Sequence, residues 1–165
     1  MQPSHNRASV NPQANIAVTD ILNKPLLQQD SQGDAVRELQ ICLTKWGTYK
    51  GAMDGIFSIQ VKNAVIAYQH RVFLVEDGVV GNFTWQALYT GTPVNMPTLS
   101  LNSYGNAVIT LQQVLTSTQD YPGTIDGEFG SRTKAAVIAF QERTGLIADG
   151  IVGDRTWYYL SKVPH

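Results

Sequence analysis

The stretch Asp126-Gly127-Glu128-Phe129-Gly130-Ser131-Arg132-Thr133-Lys134-Ala135-Ala136-Val137-Ile138-Ala139-Phe140-Gln141 decides the fold. Asp-Gly is a turn pair in which the glycine takes positive φ without steric cost. Phe129 is the apolar residue that anchors the turn. Gly130 then fits a helix N-cap, and Thr133 falls in the first turn. Ala136, Val137 and Phe140 follow at helical spacing, which gives the segment one apolar face. The same design stands earlier in the chain. Asp54-Gly55-Ile56-Phe57 meets Asp126 to Phe129, and Ala64 to Gln69 meets Ala136 to Gln141, at an offset of 72 residues.

Working outward at that offset, residues 27–88 fall on 99–160 without a gap, and nearly half the positions are identical. Self-similarity on this scale marks a duplicated unit. A finer repetition lies within each unit. The pattern Asp-Gly-x-apolar-Gly-x-x-Thr occupies 77–84, 126–133 and 149–156, with a degraded copy at 54–61 where Ser58 and Val61 replace Gly and Thr. Each copy opens a helix. A further helix precedes them, from about Asp34 to Trp46, with Val36, Leu39, Leu43 and Trp46 spaced by three and four. The second runs from about Ser58 to Arg71, and a short third from Gly81 to Tyr89. The second unit repeats all three. No segment alternates as a strand should, and Val72 to Val75 is read as a connector. The expected fold is all-α, two tandem three-helix bundles. The expected organisation is a flexible N-terminal arm over 1–25, a first module over 26–89, a linker over 90–97 and a second module over 98–162. The two prolines of the linker region, Pro93 and Pro97, favour an extended connection.

Composition narrows the function. Lys and Arg number 12 against 13 Asp and Glu, and no basic cluster occurs, so a nucleic-acid partner is not expected. The charged fraction of 15% is low, and 43% of residues are hydrophobic, which suits a polar, weakly charged ligand. One cysteine, Cys42, excludes a disulfide framework and a cysteine metal site; beside Leu39 and Leu43 it reads as packing. No apolar run approaches the ~20 residues of a membrane span, so no membrane insertion is expected. Residues 1–25 lack the charged start and apolar run of an export signal, which leaves the cytoplasm open as a location. His5, His70 and His165 have no second ligand at metal spacing. The residues before the Asp-Gly turns lack the oxygen ligands of a calcium loop. Asp54, Asp77, Asp126 and Asp149 could form two carboxylate pairs, but each precedes a turn glycine and reads as structural. No metal, cofactor or catalytic residue is expected.

These residues resemble the bacterial peptidoglycan-binding-like domain, a three-helix module of cell-wall proteins. The second unit carries the pattern nearly throughout: Gly105, Val108, Leu111, Gln112, Leu115, Tyr121, Gly123, Asp126, Gly127, Phe129, Gly130, Thr133, Ala136, Val137, Phe140 and Gln141. It continues with Leu146, Asp149, Gly150, Val152, Gly153, Thr156, Trp157 and Leu160. The first unit departs at Ser58 and Val61. The resemblance implies binding of peptidoglycan or muropeptide fragments, a cell-wall or periplasmic location, and a cell-wall hydrolase or other envelope protein as a further partner. The expected protein is not an enzyme. It binds peptidoglycan through two modules whose duplication raises avidity; the alternative is a protein-interaction or adaptor module that has lost its glycan ligand. Helix N-termini suit carboxylates, so the expected ligand-binding residues cluster around the helix starts. They are Tyr49, Asp54, Gln69, Asp77 and Thr84 in the first unit, and Tyr121, Asp126, Thr133, Gln141, Asp149 and Thr156 in the second. The tyrosine rings would lie against sugar and the glutamines would offer amides.

Overall fold

The computed structural model describes residues 18–165. Most of the arm expected over 1–25 lies outside the described residues, as does His5. Seven helices follow in order: α1 Val18–Leu22, α2 Asp34–Lys45, α3 Ile59–Arg71, α4 Asn82–Thr90, α5 Asn106–Ser117, α6 Ser131–Thr144 and α7 Asp154–Lys162. The chain divides into two compact units, 1–94 and 95–165. The first holds α1 to α4 and the second α5 to α7. Each unit is a bundle of three main helices, and no strand forms among the described residues.

The helices start where the turns deliver them. Gly33 precedes α2 at φ 122°, and Gly105 precedes α5 at φ 114°. L side chains rarely take that conformation, so glycine is required there although no neighbour would meet a Cβ. Ser58 caps α3, its hydroxyl accepting from the Val61 amide. Isolated antiparallel bridges tie each turn to the chain that enters the unit: Leu27 to Val80 and Gln32 to Ile56, then Leu99 to Val152 and Tyr104 to Glu128. The backbone groups of these loops are thereby paired without a sheet.

The two cores follow the apolar faces of the helices. Val36, Leu39, Leu43, Phe57, Val61, Val65, Trp85 and Leu88 are fully enclosed in the first unit. Val108, Leu111, Leu115, Phe129, Val137, Phe140, Trp157 and Leu160 do the same in the second. Each buried indole still finds an acceptor: Trp85 donates to the Pro25 carbonyl at 2.9 Å and Trp157 to that of Pro97 at 2.8 Å. Cys42 is buried, and burial, reinforced by Glu38, pushes its thiol up to about 11. It stays a neutral packing residue.

The end of the expected arm is part of the first unit. Ile21 of α1 is buried, while its neighbour Leu22 is exposed. Lys24 pairs with Glu38 at 2.6 Å, and its ammonium lies 5.5 Å from the Trp85 ring centre and 5.4 Å from that of Tyr89. A cation over stacked aromatic rings holds the entering chain to α2 and α4.

Candidate functional site

Four glutamines organise the turns. Gln40 sits on α2, Gln69 on α3, Gln112 on α5 and Gln141 on α6, and each is 1% exposed or less. Each carbonyl oxygen accepts from the glycine N–H of an Asp-Gly turn: Gly55 at 2.9 Å, Gly78 at 3.0 Å, Gly127 at 2.9 Å and Gly150 at 3.0 Å. Each amide nitrogen donates to the aspartate of that turn, Asp54, Asp77, Asp126 or Asp149, at 3.0–3.1 Å. It also reaches the carbonyl that follows the glycine, in Ile56, Val79, Glu128 and Ile151. In three turns a threonine hydroxyl completes the set: Thr84, Thr133 and Thr156. The aspartate accepts in turn from the amide two residues on. A buried primary amide has two N–H donors and one carbonyl acceptor, and in each glutamine both the nitrogen and the oxygen find partners within the turn.

These clamps set the acid chemistry. The Gln40 amide and then the Ile56 N–H hold the Asp54 carboxyl below its ordinary value. The Glu128 N–H does so for Asp126, aided by Gln112, and the Ile151 N–H does so for Asp149, where burial opposes it and Gln141 adds a smaller lowering. Hydrogen bonds to the charged form lower a carboxyl's pKa, so these aspartates are ionised turn ligands.

The expected site residues therefore fall into four groups rather than one. Tyr49 and Asp54 meet at Gln40; Gln69, Asp77 and Thr84 meet together; Tyr121, Asp126 and Thr133 meet at Gln112; Gln141, Asp149 and Thr156 form the fourth group. The rings expected to lie against sugar do not face solvent. Tyr49 is 4% and Tyr121 5% exposed, and their hydroxyls donate to the Ala52 and Thr124 carbonyls, each at 2.6 Å. The amides of Gln69 and Gln141 are likewise spent inside the fold. His70 pairs with Glu76 at 2.8 Å on the surface, and His165 bonds to the Val163 carbonyl. Among the described residues no group of three or more His, Cys, Asp or Glu side chains could hold a metal ion.

One of the four groups opens onto a concavity. In the second unit a cleft of about 350 Å³ runs between the connector after α6 and the start of α7. Gln141, Asp149 and Thr156 form part of its wall, with Ile147, Ile151, Asp154, Arg155 and Tyr159 around it. Asp154, Arg155 and Tyr159 escaped the sequence reading. Their signal was a difference between the copies: Asn82, Phe83 and Ala87 stand at the matching positions of the first unit. A second depression of about 360 Å³, at Tyr104, Glu128 and Gly130, has no cation in its lining.

Comparison with known proteins places this geometry. The family model described as the peptidoglycan binding domain matches twice, at residues 32–88 and 104–160. The amidase CwlM of Mycobacterium tuberculosis, named an N-acetylmuramoyl-L-alanine amidase, is 34% identical over 145 residues, covering 77% of this chain and 36% of the relative. CwlL of Bacillus licheniformis, also named an N-acetylmuramoyl-L-alanine amidase, is 30% identical over 157 residues, covering 79% and 44%. The crystal structure of the SleB N-terminal domain aligns at 37% identity with a TM-score of 0.41, covering 41% of this chain and 93% of that one. The chain spans less than half the length of these two curated relatives. The expectation of a non-catalytic protein is overturned here, because relatives that align over more than three quarters of the chain are named as amidases. The two matched segments include more than half of the residues, and the chain belongs to the peptidoglycan binding domain family, with two copies in tandem.

Proposed function

We propose that the chain attaches its protein to peptidoglycan at the cell wall through the two modules, with the cleft beside α7 as the principal point of contact. The observation that supports this most directly is the double family match together with a cleft whose wall includes the clamp of Gln141, Asp149 and Thr156. The clamp residues act by shaping the turn, and the side chains next to them meet the polymer. Two modules on one chain would raise avidity on a repeating polymer by about 10²–10⁴ where both engage. Co-sedimentation of the full chain with purified, protein-free sacculi tests the reading. The expected result is saturable pelleting; a chain left in the supernatant across salt and pH would overturn it.

A second reading comes from the names of the relatives. Two of them are N-acetylmuramoyl-L-alanine amidases, so a hydrolytic role on the same polymer, or service to a hydrolase partner, is proposed beside attachment. Incubation with sacculi, followed by quantification of newly exposed alanine amino groups, separates these. Release by the chain alone supports activity in the chain. Release only with an added amidase supports the partner role.

A further inference from the structure

We propose that the cleft beside α7 takes a short peptide bearing a free carboxylate, the stem peptide of the wall polymer, rather than its glycan strand. The source of this ligand rests on the wall-binding reading above; the ligand chemistry rests on the cleft itself. Arg155 lines the cleft and has no hydrogen-bond or ion-pair partner among the described residues. A guanidinium left unpaired at a concave surface matches a carboxylate in two-pronged geometry. The adjacent helix start adds donors. Gly153 caps α7 without any side-chain hydrogen bond, and Gly153 to Thr156, the first turn of α7, line the same cleft.

Opposite charge stands beside it. Asp154 also lines the cleft with no hydrogen-bond or ion-pair partner among the described residues, and Asp149 presents a carboxylate already held in its turn. Two acids disfavour a polyanion such as nucleic acid. An acid and a base side by side suit a chain that offers both a carboxylate and N–H donors, which describes a peptide. Ile147, exposed at 81%, and Ile151 supply an apolar wall for small side chains. Tyr159 also lines the cleft, its ring packed edge-on against Tyr158 and its hydroxyl unbonded among the described residues. The volume of about 350 Å³ suits a ligand of a few amino acids. A neutral sugar would leave the Arg155 guanidinium and the Asp154 carboxylate of the cleft unanswered. The first unit shares the turn aspartate and the uncapped helix start but lacks the guanidinium, the second acid and the phenol, having Asn82, Phe83 and Ala87 at the positions of Asp154, Arg155 and Tyr159.

The test is an NMR titration of the full chain with three probes. They are N-acetylmuramoyl-L-alanyl-D-isoglutamine, which has one free carboxylate, its methyl ester, and the tetramer of N-acetylglucosamine. The acid is expected to shift the Arg155 guanidinium and the amides of residues 153–156 saturably, with residues 81–84 unmoved. The ester, or the acid with Arg155→Ala, should bind about tenfold more weakly. Arg155 is on the surface, so the variant should remain folded. Equal binding of acid and ester, stronger binding of the sugar tetramer, or shifts confined to other surfaces would each overturn the proposal. Sedimentation with sacculi keeps the two readings apart. If the chain pellets but the acid leaves α7 unmoved, this proposal falls and wall binding stands. If the acid binds α7 but the chain does not pellet, the cleft is a carboxylate site and the wall reading falls.

Discussion

At position 61 of the first unit stands a valine; at the matching position 133 of the second, a threonine hydroxyl lies 3.0 Å from the Gln112 amide. Both side chains are buried at the start of the long helix, in front of the same glutamine clamp. The first unit also makes contacts that the second does not. Trp46 donates to the Leu88 carbonyl at 2.7 Å and covers Gly91 so closely that a Cβ there would lie 2.5 Å from the indole. Arg71 ties the Trp46 carbonyl to α3, and Lys24 closes over Trp85 and Tyr89. The second unit has Thr118, Val163, Met96 and Ser161 at the positions of Trp46, Gly91, Lys24 and Tyr89. It joins Arg143 to Asp120 instead. The comparison teaches that one scaffold carries two kinds of surface. The first unit uses its variable residues to bind its own chain, whereas in the second Asp154, Arg155 and the Tyr159 hydroxyl line a cleft with no hydrogen-bond or ion-pair partner among the described residues.

The strongest way to break this comparison is to remove a core indole. Trp157→Ala is expected to destabilise the second unit by about 3–5 kcal/mol. Fluorescence of Trp46 and Trp85 during thermal unfolding then reports the first unit. An unchanged midpoint there would show that the units melt independently, and a shared shift would show that they melt as one.

Next comes the clamp. Gln112→Ala leaves the Gly127 N–H buried without an acceptor, at a cost of about 1–3 kcal/mol. Hydrogen exchange at Gly127 should accelerate while Gly55 keeps its protection. A Gly127 amide that still exchanges slowly would remove the clamp from the account of the fold.

The valine itself sharpens the contrast. Val61→Thr gives Gln40 the hydroxyl that Gln112 already has, and should stabilise the first unit by up to about 1 kcal/mol. Thr133→Val should weaken the second by a similar amount, both read by urea unfolding. If Val61→Thr destabilises instead, the pocket around Val61 has repacked for a methyl group.

The smallest expected effect is in acid. Asp54, Asp126 and Asp149 have folded pKa values below their ordinary ones. Their contribution to stability is complete above the ordinary carboxylate range, about 4, and is lost as pH falls through the lower folded values. Replacing Asp126 by Asn should flatten the acid limb of the stability curve slightly. An unchanged limb would place the acid sensitivity elsewhere.

Much of the fold was legible because helical spacing and Asp-Gly turns are local signals, and the offset of 72 residues doubled each of them. The tyrosines show what local signals miss. Tyr49 and Tyr121 look like sugar platforms, yet each is followed two residues later by a glycine. A Cβ on Gly51 would lie 2.6 Å from the Tyr49 hydroxyl, and one on Gly123 would lie 2.8 Å from that of Tyr121. The glycine is there to let the ring fold inward. Gln40 and Gln112 were visible as identities but not as clamps, since their partners lie 14 residues further on. Arg155 and Tyr159 went unread because attention to shared residues hides those that differ.

The sequence by itself determined the all-α character, the duplication, and the position of every turn that opens a main helix in each unit. These depend on φ preferences and on side-chain period, which act over a few residues. Only the tertiary structure decided which polar groups are consumed inside the fold and which stay at the surface. That choice depends on whether a donor and an acceptor from different helices come within about 3 Å away from water. Gln141 meets its partners and is spent, while Arg155 meets no hydrogen-bond or ion-pair partner among the described residues and lines the cleft.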